Sequence, residues 1–315
     1  MHTQNVKDND STRTPAPPNQ VNNIVSGKDK LDAYIDRIKY LPPTPSLMIK
    51  LLVLLRESSP EIDEVVKLLS RDPSLTTEVL KLCNSSCFGG ERVVADMFEA
   101  TARLGFSEVS RVIMMTSATR TISLENVESV LEVEALCRHS TATAVAARAI
   151  ATTVGEAEDF AFVAGLLHDI GKIALASANG VGYKNLTREV TIQGGSLSEM
   201  EKKYFGFDHS EVGSRLLERW GIPPEVVLAV RHHHNLAEAS VGERLTATVV
   251  LGNMIVHDGE NKSACDGGSR DNIDKAVALL NLGPAKLSTI MDQAHEALKR
   301  DAGLLRALLS KRHAT

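Results

Sequence analysis

The stretch Val163 to Ala176, VAGLLHDIGKIALA, constrains this chain more than any other. Its apolar residues show no strand-like alternation, and the length suits a helix buried in a core, so it is read as one continuous helix. Three of its positions nevertheless hold His168, Asp169 and Lys172, where packing alone would place aliphatic side chains. Buried charge and unsatisfied imidazole are costly, so any fold that buries this helix must bring partners to it from elsewhere. A metal ion is the partner that best suits a buried His-Asp pair.

The rest of the chain is expected to be helical as well. Its 315 residues are 43% hydrophobic but only 4% aromatic, enough for one large or two modest cores built from Leu, Val, Ala and Ile. Residues 1–28, rich in Asn, Asp, Ser, Thr and Pro and including TPAPPNQ, read as a disordered tail. Residues 29–125 form an N-terminal helical part. There LPPTP and SSCFGG break the chain, Asp72-Pro73 starts the helix that carries Leu75, Val79 and Leu82 on one stripe, and Gly105 divides two further helices. That half shows no titratable cluster. Residues 126–260 form the helical core around the opening stretch, beginning with a long helix from about Val127 to Val154 whose Ala-rich run TATAVAARAIA permits close packing. Capping boxes are expected at Ser196/Glu199 and Asp208/Glu211, and Gly221 is a stop signal. Residues 261–315, opened by the polar loop NKSACDGGSRDN, form a C-terminal helical extension. The fold class is therefore all-α.

A formal charge of −5 and a pI near 6.1 provide no global basic field, so neither nucleic acid nor an anionic membrane surface is an expected partner. Cys83, Cys87, Cys137 and Cys265 lack the paired spacing of a zinc ribbon and read as reduced thiols. Apolar windows are interrupted short of the roughly 20 residues that span a bilayer, and residues 1–28 have no signal-peptide core, so a soluble, cytoplasmic protein is expected.

Five of the ten histidines, His139, His168, His209, His233 and His234, fall on or at the ends of helices expected to be buried. Adjacent His168 and Asp169 would project about 100° apart around a helix axis, close enough to grip one ion. Lys172 lies one turn along, placed to hold a phosphate oxygen or orient a water. His139, His209, His233 and His234 would complete a shell suited to iron, manganese, zinc or nickel, and such an ion supports phosphodiester hydrolysis. A single helical His is more often an ordinary core or surface residue, and RHHH also fits a solvated helix end. His257-Asp258 reads as a helix terminus, and His2, His295 and His313 as exposed residues. Co-occurrence of a His on one helix, His-Asp-x-x-Lys on the next and further His on two more is what packing does not explain.

With these residues in view, LLHDIGK is similar to the HD superfamily of metal-dependent phosphohydrolases. Residues from about 35 to 260 resemble its regulatory branch, the HDOD domain, through LPPTPSLMIKLL, SRDPSLTTEVLKLCNSSCFGG, EATARLGFSEVSRVI and FDHSEVGSRLLERWGIPPEVVLAVRHHH. The resemblance implies a multi-helix HD-like bundle with an N-terminal helical subdomain, used by bacteria as an output or adaptor module in signalling. It implies metal ligands at His139, His168 and Asp169, with His209, His233 and His234 as the further histidines of polynuclear members. Asn253 stands where active HD enzymes carry a late Asp ligand, and a neutral amide adds no charge to the site. The Gly-Tyr-Pro signature of the cyclic-di-GMP-cleaving subclass does not follow RHHHN.

Three readings follow. The first is a signalling module with little or no catalysis, binding metal and a phosphorylated or nucleotide ligand and passing its state to a protein partner through the N-terminal helices. The second is a metal-dependent phosphohydrolase of a nucleotide or cyclic dinucleotide, in which Asp169 and Lys172 would serve catalysis. The third is a purely structural scaffold.

Overall fold

Helix starts and stops follow local chemistry. The Asp72 carboxylate accepts from Leu75 N at 2.8 Å, and Pro73 occupies the first helical position that needs no N–H partner. Asp208 and Glu211 form a reciprocal capping box, with Asp208 accepting from Glu211 N at 2.9 Å and Glu211 from Asp208 N at 3.0 Å. The Ser196 hydroxyl takes its half of the expected box from Glu199 N at 3.3 Å. Gly221, at φ 74°, ends its helix in the left-handed conformation that glycine adopts without penalty.

The computed structural model describes residues 27–38, 46–55, 62–69, 72–85, 93–122, 131–238, 242–259 and 269–309. The expected N-terminal tail (bar its last two residues), the LPPTP break, most of SSCFGG, Cys87, Cys265 and most of the NKSACDGGSRDN loop lie outside them. In chain order the helices are α1 (Gly27–Asp36), α2 (Ser46–Leu54), α3 (Ile62–Leu69), α4 (Pro73–Cys83), α5 (Met97–Leu104), α6 (Phe106–Ile122), α7 (Val133–Val154) and α8 (Glu158–Leu167). They continue as α9 (Ile170–Ala178), α10 (Gly180–Gln193), α11 (Leu197–Phe205), α12 (His209–Trp220), α13 (Pro224–His232), α14 (Glu243–Gly259), α15 (Arg270–Leu279) and α16 (Pro284–Leu309). Among the described residues there is no strand, as expected for an all-α chain.

Two expectations need correction. The long helix α7 begins at Val133 rather than near Val127. The opening stretch is not one helix: α8 ends at Leu167 and α9 begins at Ile170, with Asp169 at φ −98°, ψ 7° and a tight Lys172 N to Asp169 O bond of 3.0 Å. Continuous hydrophobicity carries no signal of such a break, because both helices are buried and neither shows a solvent face. The span Glu158–Ala178 has the length and composition to cross a membrane, but 94% of its apolar window is buried inside the protein, where it serves as core.

Small residues decide how close the central helices come. α7 packs most extensively on α8, α14 and α16. A Cβ at Gly165 of α8 would lie 2.8 Å from Ala144 Cα of α7, and one at Gly252 of α14 would lie 3.0 Å from Ala147 N. The Ala-rich run of α7 is thus gripped from two sides. On the far side of the His168-Asp169 turn, a Cβ at Gly171 of α9 would overlap the His209 carbonyl oxygen and sit 2.7 Å from Gly213 N of α12. Buried side chains from α1 through α9 and α12 to α14 share one large core, and a second core joins α7, α14, α15 and α16.

Charged pairs tie distant segments across these cores. Arg215 and Arg219 of α12 hold Asp32 of α1 at 2.7 and 2.8 Å. Arg111 of α6 reaches Asp301 of α16 at 2.6 Å, both buried, and Arg120 joins Asp72 and Glu78 at 2.9 and 3.0 Å. The N-terminal half therefore does contain clusters of titratable groups, built by tertiary contact and invisible as sequence spacing. Burial pushes the Cys83 thiol up to about 11, which suits an unreactive core cysteine.

The contact at Gly171 predicts that Gly171→Ala lowers unfolding free energy in urea by about 3 kcal/mol or more, since the new methyl meets backbone that cannot swing aside. Gly155→Ala, at a left-handed position with open space around it, is expected to cost only about 1–2 kcal/mol.

Candidate metal centre

Asp169 stands at the centre of the histidine set. Its Oδ2 lies 3.3 Å from His168 Nε2, 3.8 Å from His139 Nε2 and 2.8 Å from Lys172 Nζ. Its Oδ1 faces the other way, 3.3 Å from His209 Nε2 and 4.0 Å from His233 Nε2. The two oxygens therefore serve two groups of side chains. His139, His168 and Asp169 form one, His209, His233 and His234 the other, and within each group the ligand atoms lie within 4.8 Å of one another. All six predicted metal-site residues, with Lys172, are brought together.

The backbone orients the rings. His168 Nδ1 donates to Gly165 O at 2.8 Å and His233 Nδ1 to Val230 O at 2.6 Å, each one turn back in its own helix. In the neutral rings those bonds leave each Nε2 with its lone pair free to face the centre, and both Nε2 atoms are buried. The turn carrying His233 and His234 is itself held by the buried Asn272 of α15, whose amide donates to His233 O at 3.0 Å and whose oxygen accepts from Leu236 N at 2.8 Å.

His209 is fixed differently. As the first residue of α12 it meets the fully buried Glu201 of α11, whose Oε2 accepts from His209 N at 2.8 Å and from His209 Nδ1 at 2.6 Å. Tyr183 donates its hydroxyl to the other oxygen of Glu201 at 2.6 Å. His209 Nε2 lies 2.8 Å from His234 Nε2, so one of these two nitrogens donates to the other.

Electrostatics follows from this burial. Burial alone would raise the Asp169 carboxyl, but the facing His168 ring and the Lys172 ammonium outweigh it and hold the group well below the usual carboxylate range. Burial pushes His168 down, and burial with the neighbouring His234 pushes His233 further down. For His209 the carboxylates of Glu201 and Asp169 overcome burial and raise it well above the ordinary imidazole value.

Imidazole lone pairs and a carboxylate converging with few donors between them are the environment a cation satisfies, whereas a buried nitrogen left alone costs about 1–3 kcal/mol. The donor set of nitrogen and carboxylate oxygen, without thiolate, fits iron, manganese, zinc or nickel. The centre is largely buried: side-chain exposure is 0–2% for His168, Asp169, His209 and His233, 9% at His139 and 11% at Lys172, and His234 is partly exposed. Cavities of about 590 Å³, beside Phe160 and Arg244, and about 680 Å³, beside Arg148 and Arg300, lie elsewhere and include none of these residues.

Sequence reasoning missed three participants. Glu201 sits one turn after the buried Leu197 in a short helix, and a carboxylate in that position was its one available signal. Asn272 had none. His257, read as a helix terminus, places its ring 4.6 Å from that of His139. Asn253 is buried one turn before His257, on the same side of α14.

Comparison with known proteins agrees with this architecture. The model of the HDOD domain family matches residues 41–236. A solved HDOD domain protein of Geobacter sulfurreducens superposes with TM-score 0.68 at 22% identity, covering 89% of this chain and 96% of that one. A candidate phosphohydrolase of Shewanella amazonensis gives 0.66 at 19% identity over 89% and 98%, and a candidate signal transduction protein of Marinobacter aquaeolei gives 0.70 at 21% identity over 90% and 65%. At these identities the likeness is one of fold. An uncharacterised protein of Treponema pallidum is 29% identical over 237 residues, and the chain spans only 45% of the length of that curated relative.

The pairing of Asp169 with Lys172 predicts that Asp169→Asn destabilises the metal-free protein by about 3 kcal/mol, because it leaves a largely buried ammonium without its carboxylate. Adding Lys172→Met is expected to restore much of that loss, which a double-mutant cycle in urea would measure.

Proposed function

Because this chain belongs to the HDOD family, we propose that it is a bacterial signal-transduction module whose buried histidine centre holds divalent transition-metal ions and turns over phosphodiesters slowly or not at all. The observation that carries this reading is the convergence of ligand atoms in a largely buried centre, where His168, Asp169, His209 and His233 are 0–2% exposed, His139 9% and Lys172 11%, with His234 partly exposed at its edge. Such an ion, when bound, supplies charge that fixes α7, the α8–α9 turn, α12 and α13 against one another. Asp169 would bridge two positions, with His139 and His168 on one side and His209, His233 and His234 on the other. Lys172 is engaged by Asp169, so a phosphorylated ligand would have to compete with that carboxylate for the ammonium. A protein partner contacting the N-terminal helices would read the state of the centre through the core those helices share with it.

The phosphohydrolase reading keeps one specific observation in its favour, the intact His168-Asp169-Lys172 constellation, and solved relatives of the same fold include candidate phosphohydrolases. Asn253 opposes it by removing the negative charge of the late ligand.

Metal analysis of the full chain after anaerobic reconstitution is expected to find close to two ions per chain, with tighter retention in Asn253→Asp. Turnover of bis(p-nitrophenyl) phosphate should stay near background in the wild type. Ordinary enzymatic turnover that vanishes in His168→Ala would replace the signalling reading by the enzymatic one, and a wild type empty of metal would remove both.

A further inference from the structure

Three of the histidines have Nδ1 committed, but not to the same kind of group. His168 and His233 donate to backbone carbonyls of their own helices, at 2.8 and 2.6 Å. His209 donates to a carboxylate from a different helix, and that carboxylate also takes its backbone N–H. Glu201 is not the cap of α12, because Asp208 already fills that role toward Glu211 N. Nor is it placed to ligate the ion at His209: it sits on the Nδ1 side of the ring, and the space shared with Asp169 and His234 is on the Nε2 side. A fully buried carboxylate is expensive to keep. Here it is held by three donors, His209 N, His209 Nδ1 and the Tyr183 hydroxyl.

We propose that Glu201 is a positioning residue that makes His209 a ligand, selectively for the second metal position formed with His233, His234 and Asp169. The inference rests on the metal-binding reading given above. Its bond to Nδ1 locks the ring rotation and the tautomer that presents Nε2 to the ion, and its negative charge strengthens that nitrogen as a donor, the role carboxylates play behind metal-bound histidines. At the first position Oδ2 of Asp169 is shared with the Lys172 ammonium, which adds positive charge. The two positions are therefore chemically unequal, with Glu201 supporting one and Lys172 bearing on the other.

Cobalt(II) binding to the full chain separates this role from a merely structural one. In a His139→Ala background, which keeps the second position, Glu201→Gln is expected to weaken cobalt(II) binding about 10- to 100-fold. In a His234→Ala background, which keeps the first, the same change should leave affinity within about 2-fold, with the metal-free proteins compared by circular dichroism. An equal fall in both backgrounds, or none in either, overturns the proposal while leaving the metal centre standing. A wild type that takes up no cobalt(II) overturns the metal reading and the proposal with it. If Glu201→Gln does not fold, Tyr183→Phe removes only the hydroxyl that steadies Glu201. A smaller loss confined to the second position then supports the assignment, and an equal or absent loss overturns it.

Discussion

One carboxylate, Asp169, has to be satisfied in a region that water does not reach, and much of the architecture answers that requirement. Its Oδ2 is met by Lys172 and turned toward His168 and His139, and its Oδ1 toward His209 and His233. An ionised group in such surroundings is tolerable only when opposite charge and hydrogen-bond donors surround it. The helices that supply them, α7, the α8–α9 turn, α12 and α13, are otherwise separated by loops and by α10 and α11. Their positions are thus coupled through a single side chain.

Close packing makes that coupling geometrically possible. Imidazole side chains are short, so the helices carrying them must approach closely and without slack, at the axis separations of roughly 8–10 Å usual for packed helices. Gly165 against Ala144, Gly252 against Ala147 and Gly171 against His209 O provide those approaches. The break at His168-Asp169 contributes too, because it lets both side chains face one space instead of diverging by the angle a continuous helix imposes. Packing and polar satisfaction therefore reinforce each other, and a change in either should be felt at the centre.

Around Asp169, side chains from separate helices meet in a largely buried space, with His234 partly exposed at its edge. Here neighbouring rings meet at tilted or edge-on angles, His257 with His139, His139 with His168, His168 with His233, and His233 with His234 and His209.

Much of this was legible in the sequence for identifiable reasons. Helical period, capping residues such as Asp72 and Asp208, and stop glycines such as Gly221 act within a few residues, so they disclose an all-α chain directly. Residue chemistry disclosed His139, His168, Asp169, Lys172, His209, His233 and His234 as a set, since unpaired polar groups on apolar helices demand partners. What only the tertiary structure decided lies in contacts between residues far apart in the chain. The division of the set into two groups about Asp169, the support of His209 by Glu201 and Tyr183, the clamp of Asn272 on the His233 turn and the approach of His257 to His139 all depend on where helices cross. Spacing along the chain carries no information about those crossings, because they are set by side-chain volume and backbone proximity across the core.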